Sequence, residues 1–407
     1  MKLTGSTFTH SFDPVLADLL GWSLKFPVTA PGHPVDHSVG DATARSASEV
    51  ESPLAATTRT ADTPIEMDES LVHNAIAHRV TGALLVTDGQ IANIPEDLKL
   101  RLVDAHEGAM MWCLLLEQRL LEIKEWFDAA GGIDFRIIKG ASVAHLDEID
   151  SSLRSFADID MLISESDMDK AIKILTDNGA KRRIAQRRPG FDRRFTKGVG
   201  TCFDDGIELD IHRTLANDAH GFRIPTADLF SDPEPFVLAG QTFLAMSRPH
   251  RALHAAYHAV ASSSSPAFHT VRDLAGYLND PSLGPEVLVP IAKRWRGLEV
   301  LGEAVKVTLE TFTLDTPTWS DWLQTEQFDQ AETELLARGR SERFTPMEWS
   351  TVRELRWLDR ARFAFAVLVP TKEHTDSLIA AGELEGDYWK RRFTKLSQKL
   401  TPARAKR

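Results

Sequence analysis

Two short apolar segments of this chain carry acidic residues at alternate positions. The first contains Asp158 and Asp160, and the second contains Glu208, Asp210 and His212, with Ile, Leu or Met between and after them. Side chains at alternate positions of a β-strand point to the same face of the sheet. We therefore predict two buried strands, each with its acidic residues on one face and apolar residues on the other.

Hydrophobic periodicity along the rest of the chain predicts further helices and strands. In chain order these are a short amphipathic helix over 11–25, helical structure over 68–87, a longer helix from Pro95 to about 129, a strand over 135–138 that leads into another helix, the first acidic strand over 157–163, a helix over 165–178, a strand near 199–203 and the second acidic strand. Beyond about residue 228, amphipathic helical patterns dominate.

These elements predict an α/β (α+β) protein with four parts. Residues 1–26 are expected to form an N-terminal helical segment, 27–66 a flexible linker, 67–228 a core with a small mixed sheet and its preceding helices, and 229–407 a helical domain. The linker is rich in Pro, Ser, Thr and Ala, a composition that does not bury enough apolar surface to order itself.

Composition and charge argue against several classes of protein. The 407 residues include 47 basic and 59 acidic side chains, a formal net charge of −12. Bulk nucleic acid is therefore an unfavoured partner, because that binding depends on phosphate neutralisation by Lys and Arg. Cys113 and Cys202 are the only cysteines, which argues against a disulfide framework or a cysteine-rich zinc site. The apolar runs are too short to span a bilayer and no signal peptide is recognisable, so we expect a cytoplasmic protein without a membrane partner.

The acidic residues of the two strands are candidates for a metal site. Carboxylates within apolar strands are costly to bury unless a cation pairs with them. Oxygen ligands on neighbouring strands suit Mg²⁺ or Mn²⁺, which leave positions open for substrate phosphates. Asp158 and Asp160 would then bind metal, and Asp210 would be a third ligand or the base that deprotonates an acceptor hydroxyl. A solvent-facing edge position is the alternative for any one of these residues taken alone.

Lys139 and Gly140 directly follow the predicted strand 135–138, where a helix begins. Glycine lets the backbone approach a phosphate, and the N–H groups at a helix N-terminus attract anions. Lys139 adds a positive charge at the same point. We therefore expect a phosphate-binding turn, with the Ser142 hydroxyl as a further candidate contact.

The order of these motifs resembles the polymerase-β-like nucleotidyltransferase superfamily, and more closely an uncharacterised bacterial nucleotidyltransferase family within it. The resemblance covers roughly residues 70–280 and is carried by Lys139-Gly140, Asp158-Ile159-Asp160, Leu209-Asp210-Ile211-His212 and the His-rich segment 250–260. His78-Arg79-Val80 and the long helix before the first strand also fit it. It implies the nucleotidyltransferase fold, an NTP co-substrate with Mg²⁺ or Mn²⁺, and transfer of a nucleotidyl group to an acceptor hydroxyl or phosphate. Better-studied members carry a serine directly after the glycine, whereas this chain has Ala141 there and its hydroxyl one residue later, at Ser142.

Three histidines recur every four residues, so His250, His254 and His258 lie on one face of a predicted helix. We expect His254 and His258, together with His212, to orient an acceptor or a catalytic side chain. A structural role within an apolar helix is equally compatible with the pattern, and a zinc site is a further alternative.

Eight basic residues crowd the segment 181–197. Two interpretations are open: the segment lines a groove for the triphosphate or for an acidic acceptor, or it is a solvated hairpin.

The predicted function is metal-dependent nucleotidyl transfer to a small molecule, peptide or protein. Two alternatives are kinase-like phosphoryl transfer to a peptide or small molecule on the same site, and a non-catalytic binding protein that retains the fold. The metal–phosphate site is common to the first two, because a metal clamp does not dictate which phosphorus is attacked.

Overall fold

A computed structural model describes residues 13–23, 65–88, 92–261, 267–341 and 349–382. The strands are β1 (Ile65–Glu66), β2 (Ala92–Asn93), β3 (Phe135–Ile137), β4 (Ile159–Ile163), β5 (Lys181–Arg182), β6 (Gly198–Cys202), β7 (Glu208–His212), β8 (Glu234–Leu238) and β9 (Gln241–Ala245). The helices are α1 (Pro14–Ser23), α2 (Glu69–Ala77), α3 (Thr81–Leu85), α4 (Glu96–Ala129), α5 (Gly140–Leu146), α6 (Met168–Asp177), α7 (Phe191–Phe195), α8 (Asp218–Arg223), α9 (Thr226–Phe230), α10 (Arg248–Ala261), α11 (Phe268–Leu278), α12 (Pro285–Arg294), α13 (Leu298–Thr311), α14 (Pro317–Thr325), α15 (Gln330–Ser341), α16 (Trp349–Glu354), α17 (Trp357–Leu368) and α18 (Lys372–Ala380).

Seven strands form one mixed sheet in the order β5-β6-β7-β4-β3-β9-β8. The central pair, β4 and β7, is parallel, and so is the β3–β9 pair, whereas the other neighbours are antiparallel. β1 and β2 form a separate parallel pair. The small mixed sheet with surrounding helices confirms the predicted fold class.

The register of the central strands brings the two acidic segments together. Asp160 lies directly opposite Asp210, and Leu162 lies opposite His212. Because side chains alternate along a strand, these four residues share one face of the sheet. The acidic residues were predicted on separate strands, and the parallel pairing makes them neighbours.

The two faces of the sheet are covered by different helices. Ile159, Met161 and Ile163 face an apolar cluster that includes Leu120 and Phe127 of α4. Leu162 belongs instead to a larger cluster that contains buried residues of α10, α11, α13 and α1. The acidic face of β4 is therefore the face toward the C-terminal helices, which also pack against α1.

The sheet extends beyond the domain boundary expected at residues 228 and 229. The β8–β9 hairpin comes after that boundary and pairs with β3. Its turn is Ala239-Gly240, both with positive φ, as two-residue hairpin turns require. The alternation is weak here because Phe236-Val237-Leu238 and Phe243-Leu244-Ala245 are consecutive apolar residues, although only alternate ones are buried. The hairpin therefore belongs to the sheet although it follows residue 228.

Most other predicted elements occur close to their expected bounds. α1 lies within 11–25, and α4 matches the long helix predicted from Pro95. The helical stretch over 68–87 is two helices, because Arg79 adopts φ 58° between them. Most of the predicted linker over 27–66 lies outside the described residues, and its end forms β1.

No helix among the described residues combines the length and apolar character needed to cross a membrane.

Candidate active site

One carboxylate oxygen of Asp160 holds two polar side chains. Lys139 Nζ donates to Asp160 Oδ1 over 2.7 Å, and His212 Nε2 lies 2.6 Å from the same oxygen. Asp160 and His212 are both buried, at 4 % and 3 % exposure. A carboxylate only accepts hydrogen bonds, so Nε2 carries the imidazole proton. His212 was expected to orient Asp210 or the acceptor, but its contact is with Asp160.

The turn after β3 directs Lys139 toward the acidic strand. Lys139 adopts φ 57° and Gly140 adopts φ 38°, both in the region that L-residues rarely occupy. A Cβ on Gly140 would lie 3.3 Å from the Phe156 side chain, so glycine also leaves room for that ring. Strained backbone of this kind is costly and is kept where surrounding structure holds it in place.

The pKa values of the two aspartates on this segment diverge. Burial opposes ionisation of Asp160, but Lys139 and His212 hold its pKa well below the ordinary value. Asp158 lies just before β4, and burial together with the Asp160 charge raises its pKa to about 6. Asp210 contributes to the same effect. The site thus concentrates negative charge beyond what Lys139 neutralises, a condition that favours a bound cation.

Asp160, Asp210 and His212 supply a candidate set of metal ligands. One ligand atom from each lies within 4.8 Å of the others, and no other such group of three occurs among the described residues. Two carboxylate oxygens and an imidazole suit Mn²⁺, and carboxylates with water suit Mg²⁺. Asp158, expected as a ligand, lies outside this group but close enough to raise the local negative charge.

Gly200 leaves space for the Asp210 carboxylate. It pairs with Asp210 across β6 and β7, and a Cβ there would lie 3.2 Å from Asp210 Oδ1 and 3.1 Å from Arg183 Cδ. Arg183 itself forms an ion pair with Glu208 at 2.9 Å. Asp210 and Arg183 therefore lie close together around Gly200, on the side of the sheet toward β6.

Ser142 lies apart from the expected phosphate contact. Its side chain is fully buried, and its hydroxyl donates to the Lys139 carbonyl over 2.8 Å. The hydroxyl thereby closes the first turn of α5. In better-studied nucleotidyltransferases the serine comes one residue earlier. At position 142 the hydroxyl instead binds the backbone of the turn.

A cavity of about 230 Å³ lies on the other side of Asp160. Its floor contains Asp158, Asp160, Lys139 and Gly140. Charged residues and histidines from outside the sheet also line the cavity: Arg79, Arg154, Arg251, His254, His258, His269 and Asp273.

The three histidines of α10 have different surroundings. His250 stacks on Trp295 with ring centroids 5.3 Å apart and contacts Ser247, so its role is structural. His254 and His258 line the cavity, and burial with the nearby Lys139 charge holds the pKa of each well below its usual value. They are neutral at physiological pH. No zinc-type cluster of histidines occurs in the described parts of the chain.

The basic segment is largely committed to ion pairs. Lys181 pairs with Asp204, Arg182 with Asp192, Arg183 with Glu208 and Arg193 with Asp169. These pairs fit the hairpin interpretation better than an open cationic groove.

Lys197 is not one of these four residues, and the sequence identified it only as part of the basic segment. Burial and the Lys139 charge lower its pKa to about 8, while Asp160 and Asp210 oppose that shift. It precedes β6, where its carbonyl accepts from Arg213 N over 2.8 Å just after His212. The sequence offered one indication of its role: Lys197 is the last basic residue before the predicted strand near 199–203. In the structure that strand, β6, pairs with the second acidic strand.

Comparison with known sequences gives one match. The sequence model of a family described as an uncharacterised nucleotidyltransferase matches residues 66–313, more than half of the chain. No curated protein sequence matches the chain. The matched range includes the acidic strands, the Lys139-Gly140 turn and the histidine helix α10, so this protein belongs to that uncharacterised nucleotidyltransferase family.

Proposed function

We propose that this protein transfers a nucleotidyl group from an NTP to an acceptor hydroxyl or phosphate and releases pyrophosphate. The observation that carries the proposal is the alignment of Asp160 with Asp210 on adjacent parallel strands, beside Lys139, in a chain of the nucleotidyltransferase family. Neighbouring carboxylates next to an anion-binding cation are the arrangement that metal-assisted phosphorus chemistry requires.

Asp160 and Asp210 would hold Mg²⁺ or Mn²⁺, with His212 or Asp158 completing the protein ligands. Donor atoms of Asp160, Asp210 and His212 are close enough to share one ion. The charges of Asp160 and Asp210 also raise the pKa of Asp158, which places a third carboxyl group near them. When bound, the cation supplies neutralisation of the charge that develops on the phosphates. His212, hydrogen-bonded to Asp160, keeps that carboxylate in one orientation.

Lys139 leaves Asp160 for the phosphates of the NTP in this proposal. The acceptor oxygen attacks the α-phosphorus, the bond from that phosphorus to the bridging α–β oxygen breaks, and the electron pair leaves with pyrophosphate. Asp210 takes the proton of an attacking hydroxyl. Positioning and charge stabilisation are the main contributions of the protein in reactions of this type.

The acceptor would approach Asp210 from the β6 side of the sheet. Gly200 leaves that carboxylate accessible to a neighbour, and Arg183 and Lys197 place positive charge near it. Small molecules, peptides and proteins are the proposed acceptor classes. The net charge of −12 disfavours bulk nucleic acid.

The position of the transferred phosphorus is the direct test. The protein is incubated with Mn²⁺ and either α- or γ-labelled NTP, together with extracts of small molecules and peptides as acceptors. Label from the α-position on a product, with release of pyrophosphate, is the expected result. Label from the γ-position on the acceptor would instead establish kinase-like transfer.

A pair of variants separates catalysis from binding alone. Asp160→Asn should abolish transfer, whereas Glu165→Gln, an exposed acid two residues beyond β4, should leave it unchanged. If the wild-type protein binds NTP with Mn²⁺ but no label is transferred to any acceptor, the proposal of an enzyme fails in favour of a binding protein.

A further inference from the structure

The cavity beside Asp160 contains one arginine that the proposed chemistry has not used. Arg79 lines this cavity together with Lys139. It lies between α2 and α3, outside the sheet, and adopts a left-handed backbone with φ 58°. This backbone ends α2, where Arg79 N donates to the Ile76 carbonyl over 3.1 Å and Val80 N donates to the Ala75 carbonyl over 3.0 Å. The turn of the chain at this point leaves Arg79 in the lining of the cavity.

Arg79 has no ionic partner among the described residues, unlike the other arginines of the cavity wall. Arg154 binds both carboxylate oxygens of Asp273, at 2.8 and 2.9 Å. Arg251 binds Asp147 and Glu234. These two guanidinium groups shape the wall and are already neutralised. Arg79 forms no ion pair with a described residue, although its charge opposes the rise in the pKa of Asp158, so its guanidinium group is available to a ligand in the cavity.

His254 adds an unpaired polar group to the same wall. Its side chain is 2 % exposed, and Nε2 has no hydrogen-bond partner among the described residues. A buried polar atom without a partner costs free energy unless a ligand or water satisfies it. Burial and the charges of Lys139 and Lys197 keep the pKa of His254 low, so the ring is neutral and keeps a donor N–H without adding charge.

The arrangement distinguishes the two cations by position. Lys139 contacts Asp160 and so marks where the reacting phosphate lies. Arg79 forms no ion pair with Asp158 or Asp160 within the described structure, and it lines the cavity from outside the Lys139–Asp160 pair. An NTP carries one phosphate more than a diphosphate, and a second cation in the same cavity suits that additional phosphate.

We propose that Arg79 and His254 bind the terminal phosphate of the NTP and make the site selective for triphosphates over diphosphates. This inference rests on the proposed nucleotidyl transfer, because it assigns the cavity to the polyphosphate. It also reassigns His254 from the acceptor to the NTP. Planar guanidinium groups bind phosphate oxygens in pairs, which suits Arg79 to a terminal group with free oxygens.

Binding of an NTP and of the diphosphate of the same base tests the inference without turnover. ATP, GTP, CTP and UTP are screened by calorimetry in Ca²⁺, and the tightest binder is compared with its diphosphate. The wild type is compared with Arg79→Gln, and Arg101→Gln serves as control because Arg101 is an exposed arginine on the nearby α4. We expect Arg79→Gln to weaken triphosphate binding about tenfold, the loss of one charge-assisted contact. Diphosphate binding should change less than about twofold. Arg79→Lys should recover part of the loss, and His254→Asn should weaken triphosphate selectively.

Each outcome bears on the inference separately from the function. Unchanged triphosphate binding in Arg79→Gln, equal weakening of both anions, or failure of the wild type to bind triphosphate would overturn the inference. Because Arg79 is exposed, misfolding is not expected in its variants, and an unchanged melting temperature verifies this. Transfer of α-label by a wild type whose triphosphate binding ignores Arg79 would leave the nucleotidyl proposal standing alone. Triphosphate binding that depends on Arg79, without transfer of label, would support the role of Arg79 and count against nucleotidyl transfer.

Discussion

Lys139 Nζ lies 2.7 Å from Asp160 Oδ1, so an ammonium group neutralises the carboxylate that we propose as a metal ligand. Lys139 lies in the turn after β3, Asp160 lies in the neighbouring antiparallel strand β4, and Lys139 has a left-handed backbone. The same lysine can pair with the carboxylate or with a phosphate. In the proposed function, exchange of Lys139 between these partners would couple NTP binding to metal binding.

Removal of the Lys139 charge should affect metal and NTP in opposite directions. Lys139→Met frees Asp160 Oδ1 from a competing cation, so we expect Mn²⁺ in the absence of NTP to bind about three- to tenfold more tightly. NTP binding should weaken by at least about tenfold, because one charged phosphate contact is lost. Titration of Mn²⁺ followed by electron paramagnetic resonance, and calorimetry for the NTP, measure the two effects. The control is Lys173→Met on the exposed face of α6, which should change neither Mn²⁺ binding nor NTP binding. Weaker Mn²⁺ binding in Lys139→Met would contradict the coupling.

Acidification should destabilise the protein through the histidines of the cavity wall. Burial lowers the pKa of His269 to about 3, and those of His254 and His258 lie well below the ordinary 6.5. In the unfolded chain these histidines bind protons below about pH 6.5, whereas in the folded protein they stay neutral. The free energy of unfolding is therefore greatest above pH 6.5 and falls toward pH 3, by up to about 2 kcal/mol per histidine between pH 7 and pH 5.

Urea unfolding at pH 7 and pH 5 measures this dependence. His269→Gln removes one of these groups and should reduce the difference in unfolding free energy between the two pH values. His73→Gln is the control, because His73 is exposed on α2. An equal pH dependence in the wild type and in His269→Gln would show that His269 is not the source.

The ion pair between Arg154 and Asp273 should be essential to stability. Both side chains are buried, at 6 % and 7 % exposure, and the contact uses two hydrogen bonds. Asp273→Asn leaves the buried guanidinium without its counter-charge, so we expect a loss of about 3–5 kcal/mol in unfolding free energy. The matched control is Asp359→Asn in the exposed pair with Arg362, where the expected loss is under about 1 kcal/mol. Chemical denaturation compares the two; similar losses would contradict the role of burial.

Two glycines with open surroundings should respond oppositely to alanine. Gly108 lies in α4 with no atom within 4 Å of an added Cβ, so Gly108→Ala should stabilise the protein by about 0.5–1 kcal/mol through higher helix propensity. Gly132 also has open space but adopts φ 85°. Gly132→Ala should therefore destabilise the protein by about 1–2 kcal/mol. Thermal unfolding of both variants measures the contrast, and a change of the same sign in both would contradict the backbone argument.

Much of the site could be predicted because its chemistry is encoded in short segments. Alternation of acids with Ile, Leu and Met identified both strands, and the position of Lys139 before a helix identified the turn. These signals lie within short segments, and the backbone of each segment follows them. The β8–β9 hairpin was missed for a related reason: its alternation is weak and its strands gain stability from pairing with β3, which a local pattern does not reveal.

Contacts between residues distant in the chain could not be predicted from the sequence. Arg79 was noted only within His78-Arg79-Val80, and Lys197 only within the basic segment, because each enters the site through packing of elements distant in the chain. Ser142 had the right chemistry at nearly the right place, but its hydroxyl closes a helical turn. His212 was a candidate from the sequence, and the register of β4 and β7 decided that it contacts Asp160.

The sequence by itself determined which residues can bind a cation or a phosphate, because side-chain chemistry and strand alternation are properties of short segments. Only the tertiary structure decided which of them meet. The parallel pairing of β4 with β7 places Asp160 beside Asp210, and the packing of α10 and α11 over that face encloses the cavity. Such contacts join residues far apart in the chain, and their free energy comes from burial and pairing that no single segment contains.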